Sequence, residues 1–241
     1  MEDHPSGTRP IRERLLAAMK TGKFSTCGHL PRESVLAEML GISRTQLRDI
    51  LASLEREGFI TRRHGVGTII NHHVLNVPNR MDIEIEFLDM IRRSGFEPAI
   101  AFVRPSEDTA DENVARRLKI PAGTPILRMA RLCTADGKPA VYCEDIVERS
   151  LVKDLQAAGN KDLPFFRFLK DCCGIVPYMD LTDLHPAMAD KKLAKILEVA
   201  ESTPLLYMDE VDFDIDGRPV FCSDEYFVDG IIHLTTMRKK L

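Results

Sequence analysis

Four side chains crowd the start of one short amphipathic stretch: Arg44, Thr45, Gln46 and Arg48, within LAEMLGISRTQLRDILASLEREGFI, residues 36–60. A guanidinium can bond guanine at two atoms, a carboxamide can do the same to adenine, and a threonine hydroxyl suits a base edge or a phosphate. That chemistry works only if a rigid element carries it into a groove. Leu47, Ile50, Leu51 and Leu54 recur at i, i+3, i+4 and i+7, which predicts a helix with one buried stripe. A step of about 100° per residue then turns Thr45, Arg48, Asp49, Ala52 and Arg56 to the opposite face. Ser43 is a good N-cap. Before it, Leu36, Met39 and Leu40 form the apolar edge of a second short helix, and Gly41 suits the left-handed residue that ends it. Two helices joined by a tight turn are the geometry that lays the second helix in the major groove of DNA.

A polar-faced helix with a few arginines is most often a plain surface helix. The next segment favours the other reading. Gly58 stops the helix, Phe59 to Arg63 reads as a strand, and His64-Gly65-Val66-Gly67-Thr68 is a glycine turn into a second strand at Ile69-Ile70. This basic hairpin is a wing, with Arg62, Arg63 and His64 beside backbone that can approach phosphate closely.

Leu30-Pro31, Glu33, Leu36-Ala37, Leu40 through Thr45, Leu47-Arg48, Leu51, Leu54-Glu55, Glu57-Gly58, Arg63 and Gly65 through Thr68 together resemble the DNA-binding domain of GntR-type bacterial transcription regulators. The resemblance runs from about Pro10 to Ile70. It implies DNA contacts from Arg44, Thr45, Gln46, Arg48 and the wing glycine Gly65, with Arg63 and His64 alongside. The family usually carries Ser-Glu-Arg after the Leu-Pro, with that arginine on DNA. Here the run is Arg32-Glu33-Ser34, so Arg32 is expected to take over a phosphate contact from a neighbouring helical position.

With 241 residues the chain has room for two domains, each with its own core. Its formal charge of −4 is unevenly shared. Residues 1–73 hold 11 Lys/Arg against 8 Asp/Glu, a net +3, and the rest holds 22 against 29, a net −7. The acidic part would repel DNA, so DNA binding belongs to the N-terminal part. No run approaches the roughly 18 apolar residues of a membrane helix, and the start, Met1-Glu2-Asp3-His4-Pro5, is unlike a signal peptide. The six cysteines (27, 133, 143, 172, 173, 222) form no CxxC pair and read as reduced, cytosolic thiols, which makes a cytoplasmic protein the expectation. His72-His73 lacks a second ligand cluster, so no metal and no cofactor are expected.

Residues 72–80 (HHVLNVPNR) show no periodicity and read as a linker between a winged helix-turn-helix domain at 9–71 and a second domain at 81–241. Beyond the linker the chain resembles itself. Ala115, Leu118, Ile120, Thr124-Pro125-Ile126-Leu127 and Met129 recur 79 residues later as Ala194, Leu197, Val199, Thr203-Pro204-Leu205-Leu206 and Met208. Asp136-Gly137-Lys138-Pro139 recurs 80 residues later as Asp216-Gly217-Arg218-Pro219. Each unit reads as helix, strand, Asp-Gly hairpin turn, strand. Strands at 126–134, 139–147, 205–214 and 219–228 predict an antiparallel sheet with helices on one side, an α+β domain.

This second half resembles the UTRA ligand-sensing domain of the HutC-type branch of GntR regulators. The resemblance rests on FLDMIRRSG from Phe87 to Gly95, the helix and turn from Ala115 to Pro125, and the closing hairpin with Ser223 and Tyr226. It implies a fold similar to chorismate lyase, used to bind small molecules rather than to catalyse, with a pocket between the hairpins and near Phe87. Relatives that sense phosphorylated sugars hold the phosphate with two arginines at i and i+2 before the first turn, and often another near Val228. Here those positions are Arg131, Cys133 and Val228. Cys143, Asp145, Asp180, Ser223, Glu225 and Tyr226 join Arg131 as the expected effector residues, with Glu144 and Asp183 nearby. One arginine among several carboxylates disfavours a dianion, which leaves a polyol, a sugar or an amine-bearing metabolite.

The reading that follows is a bacterial transcription regulator, a repressor. It binds a palindromic operator as a homodimer and is released or modulated by a small-molecule effector. No nucleophile–base spacing, metal cluster or phosphate loop points to an enzyme. A second reading keeps the DNA-binding domain but gives control to redox chemistry, at Cys172-Cys173, or to protein contact.

Overall fold

The computed structural model describes residues 8–238, so the acidic start from Met1 to Pro5 lies outside the described residues. The chain divides into two compact units, Met1–Val77 and Pro78–Leu241.

The first unit runs α1 (Thr8–Lys20), α2 (Glu33–Leu40), α3 (Arg44–Arg56), β1 (Ile60–Arg63), β2 (Gly67–Ile70) and α4 (His72–Leu75). The stripe Leu47, Ile50, Leu51 and Leu54 is buried against Leu15 and Met19 of α1 and Leu36 and Ala37 of α2. Gly41 takes the left-handed conformation, φ 68°, and its N–H returns to the carbonyls of Ala37 and Glu38. A side chain there would strain the backbone, which is why the turn is this short. β1 and β2 pair from Ile60–Ile70 to Arg63–Gly67, and His29 bridges to Ile69 on the far side.

The segment expected to be an aperiodic linker is mostly structured. His72–Leu75 forms a helical turn whose Leu75 belongs to the first core, and Asn79–Arg80 forms β3, buried in the second unit. Only residues 76–78 lie between elements. The sequence concealed this because a helical turn of four residues and a strand of two are too short to show a period.

The second unit continues with α5 (Phe87–Arg93), β4 (Pro98–Thr109), α6 (Glu112–Leu118), β5 (Pro125–Ala135), β6 (Lys138–Glu148), α7 (Phe165–Phe168), β7 (Met179–Met188), α8 (Lys191–Leu197), β8 (Pro204–Phe213), β9 (Pro219–Val228) and β10 (Leu234–Thr235). Six strands form one antiparallel sheet in the order β4-β5-β6-β9-β8-β7, while β3 and β10 pair in parallel. The order is that of a repeat folded about its own centre: β4, α6, β5, β6 match β7, α8, β8, β9. The match extends to the helix ends. Asp111 caps α6 through the N–H of Val114, Asp190 caps α8 through that of Leu193, and Lys119 and Glu198 end the two helices at the same left-handed φ of 54°. The turns differ. Asp136 (φ 49°) and Gly137 (φ 80°) make a two-residue turn between Ala135 and Lys138. In the second copy the loop is longer, and Asp214 accepts from the N–H of Asp216 and of Arg218.

The expectation of helices on one side of the sheet needs correction. α6 and α8 cover one face through Val114, Leu118, Leu193 and Leu197. The other face is packed by α5, through Phe87 and Ile91, and by the α7 region, through Phe165 and Phe168. Those two short helices leave a gap between them.

Candidate functional site

At the tip of α3, Arg44, Thr45, Gln46 and Arg48 are all exposed, as are Arg32 just before α2 and Arg63, His64 and Gly65 on the wing. They differ in how much of their chemistry is free. Arg48 Nε is 3.0 Å from Glu33 Oε2. The carboxamide oxygen of Gln46 accepts from the Ser43 N–H at 3.1 Å while Ser43 Oγ accepts from the Gln46 N–H at 3.2 Å, a reciprocal capping box. Gln46 therefore has only its NH2 to offer, and two-point reading of adenine, which needs the oxygen as well, is closed to it in this conformation. Arg44, Arg32 and Arg63 have no carboxylate partner among the described residues. On the wing, Gly65 lies at φ 77° with no atom near where a side chain would begin, so its backbone is bare to an approaching phosphate.

In the second unit the gap between α5 and α7 is a cavity open on one side, about 670 Å³ when its open mouth is included. Its floor is the sheet, contributing Arg131, Asp145, Asp180, Thr182, Met208, Glu210, Phe221, Glu225 and Phe227. Met81 to Phe87 and Phe165-Phe166 form the walls. Arg131 is buried and forked onto Asp145, Nε to Oδ2 at 2.5 Å and Nη2 to Oδ1 at 3.0 Å. Its guanidinium lies 4.2 Å from the centre of the Phe165 ring. Burial opposes the charge on Arg131, but Asp145 outweighs it and keeps the guanidinium ionised. Ser223 Oγ donates to Asp145 Oδ1 at 3.2 Å, and Cys143 Sγ lies 3.6 Å from Oδ2. Among the described residues Arg131 is the one cation of the lining, and it is already neutralised.

The remaining acids are short of partners. Glu86 accepts from the Phe166 N–H at 3.0 Å. The Thr182 hydroxyl is shared between Asp180, at 2.8 Å, and Glu210, at 3.0 Å, although it has one proton to give. Asp212 is fully buried beside Glu210, with no donor of the protein turned to either oxygen, and the two acids can bond to each other only when one of them holds a proton. Carboxylate oxygens of Glu84, Glu210 and Asp212 all lie within 4.8 Å of one another, a spacing that oxygens around a hard cation also adopt. Burial, then mutual repulsion, pushes these acids up: Glu84 to about 8, with Glu210, Asp212 and Glu225 also raised.

Of the residues expected around an effector, Arg131, Asp145, Asp180 and Glu225 line the cavity, and Cys143 and Ser223 sit just behind Asp145. Tyr226 does not reach it. Alternation along β9 turns Tyr226 to the opposite face, where it stacks on Tyr207 with centroids 5.0 Å apart and on Tyr142 at 6.4 Å. Glu144 is on that face too, bonded by Tyr142 and Lys192. Sequence reasoning missed Glu84, Glu86, Phe165, Phe166, Glu210 and Asp212. The internal repeat held the signal for two of them, since an offset of 79 carries Arg131 and Cys133 onto Glu210 and Asp212.

Residues 8–70 match the family model described as bacterial regulatory proteins, gntR family, and residues 93–229 match the UTRA domain. The regulator GgaR of Escherichia coli (strain K12), described as an HTH-type transcriptional regulator, is 25% identical over 212 residues, 86% of this chain and 81% of that protein. PhnF of Mycolicibacterium smegmatis, described as an HTH-type transcriptional repressor, is 23% identical over 92% of this chain and 89% of its own. Among solved structures, YydK from Bacillus subtilis aligns with a TM-score of 0.74 at 17% identity, over 96% of this chain and 99% of that one. The structure of PhnF aligns with a TM-score of 0.61 at 20% identity, over 97% and 99%. At these identities the structural likeness speaks for the fold.

Proposed function

The chain belongs to the gntR family of bacterial regulatory proteins and carries a UTRA domain, a transcriptional regulator rather than an enzyme, and on that premise we propose that it is a repressor switched by a small molecule. It binds a palindromic operator as a homodimer, through α3 in the major groove and the wing on the backbone. The effector enters the cavity of the second unit and is a polyol, a sugar or an amine rather than a phosphorylated compound. The observation that carries this reading is the Arg131–Asp145 fork, because among the described residues it engages the only cation that lines the cavity.

A homodimer is supported by the edges of the sheet. β7 presents an unpaired edge with exposed Tyr178, Met179, Leu181, Leu184 and Met188 on or beside it. A single winged helix also makes too few contacts for specificity, and two-fold operators match two-fold proteins. Burial weighs against control by redox chemistry: it pushes Cys173 up to about 11 and raises Cys172 as well, so the reactive thiolate is scarce at neutral pH.

The test is a gel-shift titration on an operator selected from random DNA, repeated with a panel of metabolites. Release of DNA by an unphosphorylated compound, lost in Asp145→Asn, is the expected result. If operator affinity ignores every compound but falls on oxidation, the redox reading takes its place.

A further inference from the structure

The repeat superposes chemistry as well as elements. Position for position, β5 and β6 of the first copy carry Arg131 and Asp145 where β8 and β9 of the second carry Glu210 and Glu225. In the first copy a guanidinium answers the carboxylate. In the second a carboxylate stands in the guanidinium's place, and Asp212 replaces the neutral Cys133. The second copy is the first with its cation removed.

We propose that the effector supplies that cation: an ammonium, amidinium or guanidinium group seated between Glu84, Glu210 and Asp212, on an apolar body that lies against Phe87, Phe166 and Phe227. The inference rests on the cavity being the effector's site. Independent support comes from Asp212, fully buried at the back of this cluster with no donor of the protein turned to either oxygen. Its polar neighbour is a second acid, Glu210, and the two can meet only by sharing a proton that a cation would replace. Six carboxylates line the cavity against the single, already forked Arg131. The same guanidinium shows how a cation is housed here, since it rests on Phe165 at 4.2 Å and on Phe87 at 5.4 Å, and rings that face the empty half can do likewise. A bare metal ion would satisfy the acids and leave the aromatic wall without a partner, so an organic cation fits the whole cavity better.

Matched pairs of probes test this on the full chain by thermal shift. Phenethylamine, benzamidine and putrescine are each set against a neutral counterpart: 2-phenylethanol, benzamide and 1,4-butanediol. Calcium chloride, manganese chloride and glucose 6-phosphate are run alone. At ~10 mM, at least one cation should raise the Tm by about 2–5 °C while its neutral counterpart does not. The rise should vanish in Glu210→Gln and in Asp212→Asn, provided their unliganded Tm is no lower than that of the wild type. The matched pairs decide the matter without the variants should those not fold. Equal shifts from neutral counterparts, a shift from metal alone, or no shift from any cation overturns the proposal. A gel shift separates the two levels. A cation that binds without moving operator affinity leaves the seat standing and removes effector control. Release of DNA by the sugar phosphate alone does the reverse.

Discussion

Arg44 projects from the first turn of α3 with no acid to hold it, whereas Arg48 leans on Glu33 and Arg62 on Glu55. Arg44→Ala should therefore weaken specific operator binding by about 1–3 kcal/mol, read as a ~5–150-fold shift in a gel-shift midpoint. Gln46 behaves differently because its oxygen belongs to the capping box. Gln46→Ala keeps the Ser43 cap and removes only the exposed reciprocal bond, so it should lower stability by about 0.5 kcal/mol and leave the selected operator sequence unchanged. A changed base preference would show that the box opens on DNA. In the cavity, Glu84 is raised from 4.5 to about 8, so the folded protein holds a proton that the unfolded chain releases. Stability is then full below pH ~4.5 and falls as pH rises toward ~8. Glu84→Gln removes that dependence. Its Tm should equal that of the wild type at pH 5 and exceed it increasingly up to pH 8. The Glu84 side chain is exposed, so solvent screening keeps this gap small and added salt should shrink it further.

The elements that a period or a turn residue announces were legible. The stripe from Leu47 to Leu54 located α3 and Ser43 its first turn, and Asp136-Gly137 located the first hairpin. What escaped had no pattern of its own. Nothing in Met81 to Glu86 or in Phe165-Phe166 says that these stretches fold back over the sheet, because that is decided by which gaps α5 and α7 leave. Tyr226 was misplaced for a simpler reason: it neighbours Glu225, and a strand sends neighbours to opposite faces. The same rule makes β7 an informative element. Its exposed Leu181 and Leu184 lie on the edge offered to a second copy. Leu181→Lys should turn dimer to monomer in sedimentation velocity while the Tm of the monomer stays within a few degrees. A variant that sediments like the wild type would move the interface elsewhere.

The whole molecule is two folding units joined at residues 77 and 78, with opposite charge. A fragment ending at Val77 should fold and bind DNA weakly, with affinity falling steeply as salt rises. Full affinity in that fragment would show that it dimerises by itself. At the start of the second unit, β3 pins the chain to β10, and the stretch that follows, up to Phe87, supplies the wall of the cavity. A ligand that draws Glu84 toward the sheet therefore pulls on the chain seven residues beyond Val77, and coupling of about 1–3 kcal/mol is the usual scale of such control. The cysteines allow that motion to be watched. Five of the six are buried, and Cys27, in the first unit, is the exception. A maleimide should therefore attach quickly to one sulfur per native chain and to six after denaturation. The wild-type protein thus comes with a single address for a fluorophore, on the DNA-reading unit and remote in sequence from the cavity, so an emission change on adding effector would report the switch as it is thrown.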